Sequence, residues 1–145
     1  MTDCYYYNIV NETNNPILKN LELTVILVME GSKRLKLNNF ITNLAKKTII
    51  QYNKGFKTCQ KTCGSKKIDI SWKDINYSNI TALNRFKKNY NNILILEEDA
   101  EPYPKYITSS NLKEIDKHIL NRDFTTLSLG SFSLLMPTEN KHIRK

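Results

Sequence analysis

Two short runs in this chain are almost wholly apolar: Leu-Thr-Val-Ile-Leu-Val-Met at residues 23–29 and Ile-Leu-Ile-Leu at residues 93–96. A strand with one wet face alternates apolar and polar residues. A strand that is apolar at nearly every position needs cover on both faces, as in a parallel sheet. The intervening sequence supplies that cover. In residues 33–46, Leu35, Leu37, Phe40, Ile41, Leu44 and Ala45 recur at mostly helical spacing behind Ser32, a good N-cap. Residues 79–90 predict a second helix with Ile80, Leu83 and Phe86 inward. Residues 111–120 predict a third, capped by Asn111, with Leu112, Ile115 and Ile119 inward. Residues 5–10, 48–52, 68–72 and 124–129 read as further strands. The alternation predicts an α/β fold with an open, mainly parallel sheet and flanking helices. The length, 145 residues, suits one domain over 1–145.

Residues 53–67 are polar and Lys-rich, hold Gly55, Gly64, Cys59 and Cys63, and predict a mobile loop. Three cysteines are too few, and odd in number, for a secreted disulfide scaffold. Zinc on Cys59 and Cys63 would need two more ligands, and His118 and His142 form no paired motif with them. The N-terminus lacks the basic and apolar regions of a signal peptide. The longest apolar run, 25–29, is far too short to span a bilayer. A cytoplasmic protein without a membrane span is expected.

The net charge is +8, from 22 Lys and Arg against 14 Asp and Glu. Such a balance suits nucleic acid or anionic substrates. The wealth of Asn, Ile and Lys beside four Gly and four Pro is also what an AT-rich gene encodes, with the charge spread over solvated faces. No nucleic-acid motif is present, so nucleic acid is not the expected partner.

Glu97, Glu98 and Asp99 follow the second apolar run at once. Ligands of open α/β sheets bind outside the carboxyl ends of the strands. Adjacent carboxylates repel unless a cation offsets them, and Mg²⁺ or Mn²⁺ takes carboxylate oxygens together with substrate phosphates. A strand that simply ends in soluble acidic residues would look the same.

The stretch from Ile80 to Glu101, with its Ile-Leu-Ile-Leu-Glu-Glu-Asp core, resembles the central segment of family 25 glycosyltransferases. These include lipopolysaccharide-biosynthesis and procollagen-galactosyltransferase-like proteins, and versions carried by large DNA viruses. In that family a helix leads to a strand ending in an acidic metal motif of the GT-A fold. Glu97, Glu98 and Asp99 match the three acidic positions, with Glu98 in place of the usual Asp. Residues 24–29 followed by Arg34 resemble the first strand and its basic residue near the nucleotide. Residues 124–131 resemble the strand ending in Leu-Gly. The family normally continues into an acceptor-binding half beyond the point that Lys145 reaches, so the expectation is a truncated, GT-A-like nucleotide-sugar domain. For a viral version the implied location is the host cytoplasm or the virion.

The resemblance implies a nucleotide-diphosphate sugar donor, most naturally a UDP-sugar, with Mn²⁺ or Mg²⁺ on Glu97, Glu98 and Asp99. It implies donor contacts from Lys33, Arg34 and Asp74, although Lys33 and Arg34 could equally sit on a solvated helix. Trp72 and Tyr77 could stack on a base or sugar, or join the core. Tyr103 and Tyr106 would line the acceptor side, where a glycan or protein binds. His118 and His142 read as structural or exposed. The alternative is a non-catalytic binding or interaction module: a remnant that pairs with a second copy or a partner chain through apolar surface left uncovered, or a basic protein that binds nucleic acid.

Overall fold

The computed structural model describes residues 3–121. The strand expected at 124–129 and His142 lie outside the described residues. Strand β1 is Tyr5–Glu12 and β2 is Leu23–Met29. A short helix α1, Asn39–Thr42, leads to β3, Lys47–Asn53. Helix α2, Gly55–Thr58, precedes a two-stranded hairpin of β4, Thr62–Cys63, and β5, Lys66–Lys67. Helix α3, Ser71–Phe86, leads to β6, Ile93–Glu97. A 3₁₀ turn, Pro104–Tyr106, precedes α4, Ser109–Asn121.

The main sheet has four strands in the order β1-β3-β2-β6. Strands β3, β2 and β6 are parallel, and β1 is antiparallel to β3. The architecture is therefore α/β with a mixed sheet: three parallel strands as expected, and an antiparallel strand at one edge that was not. β1 joins β2 through residues 13–22 without a crossover helix, and its register against β3 slips between Ile9 and Asn11 in a bulge at the edge.

The continuous apolar run of β2 is explained by its central place. Leu23, Val25 and Leu27 point to one face, where Ala82 and Phe86 of α3 cover them. Ile26 and Val28 point to the other, beside Ile50 of β3 and Ile41 of α1. Further along that face, Leu18, Leu21, Leu44 and Ala45 pack with Ile119 of α4, and Leu112 and Ile115 close the same cluster as expected. β6 is only half-buried, because β2 is its single partner among the described strands.

Three helix and strand boundaries differ from expectation. Residues 33–38 are not helical: the Lys36 N–H donates to the Glu98 carbonyl (3.1 Å), so a tertiary bond replaces a helical one. The helix begins only after Asn38, whose Oδ1 accepts from the Ile41 N–H (2.8 Å). Residues 68–72 are not a strand; α3 starts at Ser71 and absorbs the last two of them. Its buried stripe is Asp74, Ser78, Ala82 and Phe86, so Ile80 and Leu83 face outward, contrary to expectation. α4 is capped by Thr108, whose Oγ1 accepts from the Asn111 N–H (3.1 Å), rather than by Asn111.

Residues 53–67 are tied down more firmly than a mobile loop. Cys4 and Cys59 form a disulfide with Cα atoms 5.7 Å apart, and Cys63 is free and exposed. Among the described residues no helix is long and apolar enough to cross a membrane.

Candidate functional site

The parallel register brings three strand ends to one edge. Leu27 of β2 pairs with Glu97 of β6, and Met29 pairs with Asn53 of β3. The acidic residues therefore leave the sheet where β2 and β3 also end, the edge at which open α/β sheets bind ligands.

The three acids behave differently there. Glu97 ends β6 and is exposed, and its carbonyl accepts from the Ala100 N–H (3.1 Å), turning the chain back. Glu98 is folded inward. Its Oε2 accepts from the Met29 N–H (3.2 Å), and its Oε1 accepts from Arg34 Nε (3.1 Å) and Nη2 (2.9 Å). Asp99 stays half-exposed with Oδ2 3.9 Å from Arg34 Nη1. Among the described residues no three His, Cys, Asp or Glu side chains gather to hold a metal ion.

Arg34 bridges the two loops. It reaches Glu98, a side chain only 5% exposed, while remaining 71% exposed itself. The Ser32 hydroxyl accepts from its backbone N–H (3.1 Å), shaping the turn after β2. The pair thus gives an anchored guanidinium with donors left toward water. Lys33 is exposed beside it. Lys36, which the sequence did not single out, pairs with Glu101, and that hydrogen bond raises its pKa. Tyr103 and Tyr106 stand beyond the acidic turn as an exposed pair, ring centroids 5.3 Å apart.

Asp74 is not brought to this group. It is fully buried under the end of β3, where Oδ1 accepts from Lys61 Nζ (2.8 Å) and Oδ2 from the Phe56 N–H (3.1 Å). Lys61 also donates to Asn53 Oδ1 (2.5 Å), and Asn53 Nδ2 donates to Ser78 Oγ (3.0 Å). Lys61 escaped the sequence reading because it sits in a Lys-rich stretch that looked solvated. The Tyr5 ring lies under its ammonium at 5.4 Å, and burial pushes the Tyr5 phenol up to about 12. Tyr77 is half-buried beside Tyr5, whereas Trp72 is exposed. His118 pairs with Glu114 one turn earlier (3.3 Å).

Comparison with protein-family models, with curated proteins and with solved structures found no match.

Proposed function

We propose that the loops after β2 and β6 form the diphosphate-binding end of a nucleotide-diphosphate sugar site, and that the domain is of glycosyltransferase type. The observation that carries this reading is Arg34: a buried carboxylate orients it at the carboxyl edge of parallel strands, and most of its surface stays open. A preorganised guanidinium loses little freedom on meeting a diphosphate, whose oxygens match its forked donors. Lys33 adds charge on the same loop. Tyr103 and Tyr106 offer ring faces to a sugar.

The carboxylates are oxygen donors, as Mg²⁺ and Mn²⁺ require, and such ions need only one or two beside phosphate oxygens. Glu97 and Asp99 fit that part. Glu98 does not, because both its oxygens already serve Arg34 and Met29. A bound cation would supply neutralisation of charge on a departing diphosphate. Glu98 then acts as the residue that positions Arg34.

The inward fold of Glu98 also favours a second reading. An acidic turn satisfied by its own chain suits a non-catalytic binding module equally well. Calorimetric titration of UDP and UDP-sugars, with and without Mn²⁺, separates the two. The first reading expects binding that Mn²⁺ strengthens, that Arg34→Ala weakens and that Glu97→Ala/Asp99→Ala uncouples from the metal. No binding by the folded wild type would sink it.

A further inference from the structure

A surface helix normally turns its polar residues outward. α3 does the reverse along part of its length. Its inner stripe holds Asp74 and Ser78 beside Ala82 and Phe86. Its outer side shows Trp72 (60% exposed), Ile75 (42%), Ile80 (49%) and Leu83 (44%). At 3.6 residues per turn Trp72, Ile80 and Leu83 fall within an arc of roughly 80°, and Ile75 lies at the border with the inner stripe. Asn76 and Asn79 are the polar residues between them.

The rim of this stripe is cationic. Lys66 and Lys67 lie in the hairpin just before the helix, Lys73 in its first turn, and Lys87 and Lys88 just after its end, all exposed but half-buried Lys73. The acids of this region are few. Asp69 is exposed but paired with Lys73 (2.8 Å), and Asp74 is buried against Lys61. Arg85 points the other way, stacked on the Tyr7 ring at 4.0 Å.

We propose that the outer face of α3 is a docking surface for an anionic lipid bilayer. Large apolar side chains along one side of a helix, a Trp at one end and a lysine rim are what an interfacial helix uses: the apolar residues enter the boundary of the acyl chains, and the ammonium groups meet lipid phosphates. A second copy fits less well, because pairing two such faces would set lysine rims against each other. A protein partner would need acidic groups placed to meet each lysine of the rim, whereas an anionic lipid surface offers phosphates wherever the lysines fall. This surface is independent of the loops after β2 and β6.

Trp72 is the chain's single tryptophan, so its fluorescence reports on this face alone. The test mixes the full chain with phosphatidylcholine vesicles, with and without phosphatidylserine. The expected result is a blue shift of Trp72 and co-sedimentation with phosphatidylserine vesicles, both weakened by salt. Lys87→Glu/Lys88→Glu, which touches no buried group, should weaken binding about tenfold or more. Ile80→Ser/Leu83→Ser should abolish the blue shift while far-ultraviolet circular dichroism stays unchanged. Trp72 emission unaltered by phosphatidylserine vesicles overturns the proposal. So does vesicle binding that both variants retain, or a blue shift that accompanies dimerisation or added duplex DNA instead of lipid.

Discussion

Lys61 and Asp74 form an ion pair, Nζ to Oδ1 2.8 Å, with both side chains removed from water. Each has a further partner, Asn53 for the lysine and the Phe56 N–H for the aspartate. Such a pair gains little over apolar residues of the same size, but breaking it leaves a charge stranded in low dielectric. Asp74→Ala and Lys61→Met are each expected to cost about 3–5 kcal/mol in denaturant unfolding. Lys61→Met/Asp74→Leu should cost clearly less than the two single changes added together. Additive losses would show that the two residues act separately.

The disulfide between Cys4 and Cys59 closes a loop of sequence separation 55 and fixes the segment that carries Lys61. Constraining the unfolded chain in this way contributes about 2–4 kcal/mol. Cys4→Ser/Cys59→Ser, or full reduction, is expected to lower the unfolding midpoint accordingly. Thiol titration checks the pairing directly: the native protein should expose one reactive thiol, Cys63, and the reduced unfolded chain three. A reducing compartment would hold the weaker form.

Tyr5 is buried, and among the described residues its hydroxyl has no well-aligned hydrogen-bond partner. Burial raises its pKa to about 12, above the value of 10.0 that an unfolded chain shows. The unfolded state therefore loses this proton first, so the contribution to stability is complete below pH 10.0 and fades as pH rises toward about 12. Tyr5→Phe should remove that part of the alkaline loss. At neutral pH it should change stability by less than about 1 kcal/mol, since only poorly aligned contacts with Ser78 and Thr81 are lost.

Thr24 sits in the middle of the sheet, fully buried, with a hydroxyl that has no hydrogen-bond partner among the described residues. Replacing that hydroxyl with a methyl group removes a desolvation cost and keeps the shape. Thr24→Val is expected to raise stability by about 1 kcal/mol in chemical denaturation. A loss would mean that a bound water serves the hydroxyl.

Glu98 and Arg34 give a prediction that separates positioning from direct contact. Glu98→Gln keeps the size but removes the charge that orients the guanidinium. Diphosphate affinity should fall about three- to tenfold, less than for Arg34→Ala, because a charged hydrogen bond weakens without Arg34 being lost. Equal losses would place Glu98 itself on the ligand.

Much of the architecture was legible in the residues. The run Leu23–Met29 declared a strand covered on both faces, and β2 is central with α3 on one side and α1 and α4 on the other. The strand Ile93–Glu97, the acidic residues at its end and the inward face of α4 were equally plain, because local periodicity decides them. Three matters escaped that logic, since each depends on a group distant in sequence. Arg34 is in an extended segment because the Lys36 N–H finds the Glu98 carbonyl 62 residues further on. α3 is rotated so that Ile80 and Leu83 face outward, because Lys61 and Asn53 draw Asp74 and Ser78 under the sheet edge. Glu98 turns inward rather than joining Glu97 and Asp99, because a backbone N–H and a guanidinium meet it there. Sequence alone determined which stretches are apolar and at what period. Which charges are buried, and which apolar side chains are left outside, was decided only when folding brought their partners together, since a buried charge is tolerable only where a second one reaches it.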